Sequence, residues 1–90
     1  MITIHEVIKK KNISKLSNAV NIFNLMKAEV NKDPSVHTFV LDFVGVHTCP
    51  PHIFKEVFRQ MQTRLNGEYR VELKNANQII VASFRRAING

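Results

Sequence analysis

Cys49 stands between two histidines in the segment His47-Thr48-Cys49-Pro50-Pro51-His52. A thiol near an imidazole is the minimum for nucleophilic catalysis, because a base or a positive environment must lower the thiol pKa. The same three residues are also metal-ligand types. Neither set is complete. No acid or amide is placed by the sequence to orient either imidazole, and a working site also needs donors for a developing oxyanion. Three ligands in one short loop do not match the paired spacing of structural zinc, and His5 and His37 lie on other segments. The residues therefore predict no catalysis, no metal and no cofactor. Cys49 reads as a small apolar residue at the top of a sheet, and His47 and His52 as exposed loop residues.

Asp42 is the one acid inside an apolar run, Phe39 to Val44. With no second acid nearby to share a cation, it is expected to accept backbone N–H bonds from the loop that follows. Gly45 and Gly67 are isolated, and no lysine follows a glycine motif, which excludes a phosphate-cradling loop. Phe23, Phe39, Phe54, Phe58 and Phe84 fall at core-facing spacings. That leaves Phe43 and Tyr69 as candidates for base stacking, a thin set for a single-stranded nucleic-acid platform.

The elements that must position these residues follow from periodicity. Ile2, Ile4, Val7 and Ile8 suggest a first strand whose alternation slips at Val7. Leu16, Val20, Phe23, Met26 and Val30 recur at steps of three and four and predict a helix, with Ser14 or Ser17 as its cap. Asp33-Pro34-Ser35 ends it. His37 to Val44 reads as a central strand, apolar enough to be buried on both faces as in a parallel sheet. Pro51 suits a first helical turn, where its missing N–H costs nothing. Phe54, Val57, Phe58, Met61 and Leu65 then form one apolar face, and Asn66-Gly67 is the predicted stop. Tyr69, Val71 and Leu73 alternate with Arg70, Glu72 and Lys74, the pattern of a half-wet strand at a sheet edge. Asn75 or Asn77 caps a last helix carrying Ile80, Phe84, Ala87 and Ile88. The order strand-helix-strand-helix-strand-helix predicts one α/β domain over residues 1–90, with a small mixed sheet.

Composition agrees with a globular domain: 44% hydrophobic residues in a chain of 90, with 3 Gly and 3 Pro. One cysteine excludes an internal disulfide. The first residues, MITIHEVIKKK, place apolar residues before lysines, the reverse of a secretory signal, so a cytoplasmic, membrane-free protein is expected. Net charge is +6, compatible with nucleic acid or an acidic protein partner. Lys9, Lys10, Lys11 and Lys15 form the one dense cluster. The remaining basic residues are dispersed, the pattern of a solvated surface.

The segment Val40-Leu41-Asp42-Phe43-Val44-Gly45-Val46, followed by Ile53-Phe54-Lys55-Glu56-Val57-Phe58, resembles the STAS-like domain-of-unknown-function family, relatives of the STAS domain of anti-sigma-factor antagonists. Arg70 to Lys74 and Phe84-Arg85-Arg86-Ala87-Ile88 fill the places of that family's charged strand and closing helix. The resemblance implies a small α/β domain without catalysis that acts by docking. In partner-switching systems such domains bind an ATPase of the histidine-kinase-like class, and phosphorylation of a serine at the helix start breaks the complex. Here Pro50-Pro51-His52 stands where the family tends to have Ser-Pro-Ser. His52 replaces the serine nearest the helix, and Thr48 is the one hydroxyl left in the loop, so no phosphoacceptor is carried over. The implied interaction surface is His47, Thr48, Cys49 and His52 with Lys55, Glu56, Arg59 and Gln62 of the helix. A small basic nucleic-acid-associated domain is the alternative.

Overall fold

β2 (Thr38–Asp42) is the middle strand of a three-stranded sheet, with β1 (Ile2–Thr3) on one side and β3 (Arg70–Lys74) on the other. Both pairings are parallel, so the expected mixed sheet is corrected to an all-parallel one. The computed structural model describes residues 1–90. Its helices are α1 (Ile4–Ile8), α2 (Leu16–Lys32), α3 (Pro51–Arg64) and α4 (Gln78–Asn89). No helix is long and apolar enough to cross a membrane.

Register explains which face is covered. Ile2 lies beside Leu41, and Phe39 and Leu41 lie beside Val71 and Leu73. Ile2, Phe39 and Leu41 are buried, and Val71 and Leu73 are half-buried. Two right-handed crossovers that step in one direction place α2 and α3 on the same side of the sheet. There α2 packs on α3, and α3 packs on α4. On the opposite face Thr38, Arg70, Glu72 and Lys74 are exposed and Val40 is half-buried. The expectation that β2 is covered on both faces therefore fails. With all crossovers stepping one way, no long helix is left for the second face, and the strands carry polar residues there.

The first element also departs from expectation. β1 has two residues, and Ile4 to Ile8 turn into a short helix that ends at Lys9 in the left-handed region, φ 60°. The slip in alternation at Val7 carries the signal: Ile4, Val7 and Ile8 are three and four apart, which suits a helix turn. In α2 the buried stripe is Ala19, Ile22, Phe23 and Met26, while Leu16 is 54% exposed. The face is rotated because Ile22 and Phe23 both turn inward. Neither Ser14 nor Ser17 caps α2. Lys15 holds the cap position and makes no side-chain cap bond. At its far end Asp33 Oδ1 accepts from the N–H of Ser35 at 3.1 Å and from its hydroxyl at 2.6 Å, closing the turn after the helix.

Aromatic contacts fasten α3 and α4 to the sheet. Phe43, fully buried rather than free to stack on a base, lies 5.7 Å from Phe54. Phe84 meets Phe54 edge-on at 5.3 Å and Phe58 at 5.7 Å. Such pairs add roughly 0.5–1.5 kcal/mol each beyond their buried area. Tyr69 stacks on Phe39 at 5.5 Å and is half-buried. α3 ends at Arg64, with Leu65 extended, and Gly67 takes φ 107° in the turn to β3. The glycine therefore shapes the turn rather than the helix cap itself.

Candidate functional site

The candidate surface begins where β2 runs out. Asp42 is 6% exposed, and its Oδ1 accepts from the Val44 N–H at 3.0 Å and from Asn75 Nδ2 at 3.1 Å. The bond from Val44, then the one from Asn75, hold its carboxyl below the usual range. Burial opposes them, and nearby Lys74 adds to them. Asp42 is thus the loop anchor expected from the sequence. Asn75 is its second donor, held at φ 54°. Gly45 then adopts φ 80°, and the His5 ring lies 3.4 Å from where a Cβ would stand. The left-handed backbone would strain an ordinary side chain here, while the imidazole offers it only van der Waals contact.

Beyond the turn, the loop is held from two sides. His47 N–H donates to the Lys11 carbonyl at 2.6 Å, Thr48 N–H to the same oxygen at 3.3 Å, and Ile13 N–H to the Thr48 carbonyl at 3.0 Å. Asn12 and Thr48 thereby form a parallel bridge, and their side chains join at 2.8 Å. On the other side, Asn77 Nδ2 donates to the His47 carbonyl at 2.9 Å while its Oδ1 caps α4 by accepting from Ile80 N–H at 2.9 Å. These two partners fix the amide's orientation, since one needs a donor and the other an acceptor. Of the two asparagines the sequence offered as caps, Asn77 is the cap and Asn75 serves Asp42.

Pro50 takes the cap position of α3 and Pro51 its first turn. No side chain caps this end and no acid lies in the first turn, so its positive end is not offset by local carboxylates. His47, His52, Lys55, Arg59 and Gln62 are exposed, and Thr48 and Glu56 are half-buried. The ring of His52 lies 3.4 Å from the Ser14 carbonyl oxygen through Nε2. Glu56 accepts from Arg59 at 2.9 and 2.6 Å and from Gln60 at 2.8 Å, and these bonds hold its carboxyl down at about 2.

Cys49 does not belong with them. Its side chain is 1% exposed, it lies in the core, and burial pushes its thiol up to about 12. At neutral pH it carries no thiolate to attack with, and it presents nothing to a partner. The loop therefore separates its three chemistry-bearing residues: His47 and His52 face outward while Cys49 faces the core. The candidate surface narrows to His47, Thr48, His52, Lys55, Glu56, Arg59 and Gln62.

The sequence reading missed Lys11, Asn12 and Ser14 as neighbours of this loop. No local pattern announces them, because a bridge between residues 36 apart in the chain depends on the fold. Their place brings the Lys11 backbone beside His47 and Thr48, joining the end of a basic run to a histidine loop that looks unrelated in the sequence. Comparison with family models, curated proteins and solved structures finds no match to this chain.

Proposed function

We propose that the domain is a non-enzymatic regulatory module that docks a protein partner through the β2–α3 loop and the exposed side of α3. The observation that carries this reading is the fastening of the His47–Thr48 backbone from both sides, by Lys11–Ile13 and by Asn77. Such a loop presents His47, His52 and Lys55 from a fixed frame, so little ordering cost falls on binding. Glu56 and Arg59 pair with each other, which leaves Lys55 as the unpaired charge, so the surface is weakly basic. The matching partner face is acidic.

The likeness of Val40 to Val46 and of Ile53 to Phe58 to STAS-like domains supports the same reading. It suggests an ATPase of the histidine-kinase-like class, or another regulator, as the partner. His52 in the place of a phosphorylated serine means that release would not run through phosphorylation of this helix start. Affinity purification with wild-type bait, beside His52→Glu and Arg59→Glu baits, tests the proposal. A partner recovered with wild type and lost with both variants is the expected result. A partner retained by both would move the interface elsewhere.

One observation favours a second reading, a basic nucleic-acid-associated domain. The hydrogen bond from the His47 N–H to the Lys11 carbonyl sets the end of the Lys9–Lys11 run against the loop. Phosphate contacts of that kind release counterions, so binding would fall steeply with salt. A mobility-shift assay at low salt that shows no retardation removes this reading.

A further inference from the structure

β3 is an edge strand with an unused side. Arg70 N–H donates to His37 and Phe43 N–H donates to the Lys74 carbonyl, so Arg70, Glu72 and Lys74 turn their backbone groups toward β2. In a parallel ladder the alternate residues face away. Val71 and Leu73 therefore direct their N–H and C=O groups outward from the sheet. Beside them lies an open groove of about 480 Å³, lined by Phe58, Met61, Tyr69, Val71, Phe84 and Ile88 among others. Ile88 is 59% exposed there.

The charges along this edge are complementary to themselves. In an antiparallel pairing of two copies centred on Val71, Arg70 falls opposite Glu72 of the other copy and Glu72 opposite its Arg70. Glu68 falls opposite Lys74, and Lys74 opposite Glu68. Arg70 and Glu72, at the centre of the pairing, then meet their opposites, and Glu68, just before β3, extends the pattern to Lys74. On the helix-covered face Val71 meets Val71, and Tyr69 meets Leu73, so the partner's Leu73 enters the apolar groove and the contact repeats by symmetry. A pairing centred on Glu72 instead sets Glu72 against itself and Arg70 against Lys74. One centred on Leu73 keeps Glu72 opposite Lys74 but sets Val71 against Asn75 and leaves Arg70 opposite Ala76. Charges on an edge strand normally discourage pairing. Here they oppose the register centred on Glu72, and the one centred on Val71 pairs the most charges.

The geometry points to a second copy of this chain as the occupant of the edge. The two copies form a two-fold dimer in which the β3 strands pair antiparallel about Val71 and the sheets become continuous. Each of the outward residues Val71, Leu73 and Tyr69 gains backbone partners, and the groove between α3, α4 and β3 closes over apolar side chains. This surface lies apart from the β2–α3 loop, so dimerisation does not depend on the docking proposal.

Charge exchange across the pair is the test. Arg70 and Glu72 are both exposed, so their replacement leaves the core untouched. Sedimentation of the wild-type chain should show a dimer. Arg70→Glu sets Glu against Glu twice, and Glu72→Arg sets Arg against Arg twice. Each single variant should dimerise at least about tenfold more weakly. The two variants mixed together should form a heterodimer, because each charge then meets its opposite, and the double variant R70E/E72R should recover the wild-type dimer. Circular dichroism identical to wild type in both single variants separates lost pairing from lost fold. A wild-type chain that remains monomeric at its highest soluble concentration overturns the proposal. So does a dimer indifferent to both single reversals, or a failure of the mixture to associate where the wild type does.

Discussion

The carbonyl oxygen of His47 accepts a hydrogen bond from the side-chain amide of Asn77 at 2.9 Å, and the same amide caps α4 through Ile80. One residue thus starts the last helix and holds the loop proposed to meet the partner. The stability of α4 and the placing of His47 are coupled through it.

Replacement of Asn77 separates those two roles. Asn77→Ala removes both bonds and is expected to cost about 1 kcal/mol from the cap alone. For a domain of this size that is a fall in melting temperature of about 4–8 °C. Asn77→Asp keeps an acceptor for the Ile80 N–H and loses the donor to His47. It should retain most of the melting temperature while the His47 and Thr48 amides exchange faster with solvent. Thermal unfolding by circular dichroism, with hydrogen exchange read residue by residue, distinguishes the two.

Cys49 should be inert in the folded protein. With its thiol at about 12, the thiolate fraction at pH 8 is more than about a thousandfold below that of an ordinary cysteine. Alkylation should therefore proceed only as fast as the chain opens, and should become rapid in denaturant. Modification at the unfolded rate under native conditions would mean that the side chain is not in the core.

Glu56 contributes an acid-dependent increment. Its carboxyl is held down at about 2 by Arg59 and Gln60, below its value in the unfolded chain. The unfolded state therefore takes up the proton first as pH falls. The increment is fully present above the ordinary glutamate range and is lost between about pH 4.5 and 2. Glu56→Gln should lower the denaturant midpoint near neutrality, flatten its fall across that window, and converge with wild type at the acid end. Denaturant midpoints measured across the window check the sign.

Gly45 should not tolerate a side chain. At φ 80°, alanine is disfavoured by about 1–2 kcal/mol. Its Cβ would sit in ordinary contact with the His5 ring, 3.4 Å away, so adding His5→Ala should not recover the loss. Equal melting temperatures for Gly45→Ala and wild type would contradict the turn geometry.

Much of the frame was legible in the chain. The step of three and four placed α2, α3 and α4, the proline at 51 placed the start of α3, and alternation at Arg70–Lys74 marked β3 as an edge. Asp42 was readable as a loop anchor because a lone acid at a strand end needs donors. These are local properties: each depends on residues a few positions apart, and the backbone's geometry converts their spacing directly into a face or a cap.

Other features could not be read that way. The mixed sheet became parallel, and one face of β2 stayed open, because strand direction and crossover side are set by how whole elements pack. Cys49 left the candidate surface because its side chain turns into the core between two outward histidines, a choice made by the space beneath α3. Composition and local spacing suffice for a small basic α/β chain and its three long helices, though not for the short helix at Ile4–Ile8. Packing is what sets Lys11 against His47, lets Asn77 hold the loop, and leaves β3 a bare edge beside an apolar groove. Those contacts join residues far apart in the chain, and their free energy exists only once the elements between them have packed.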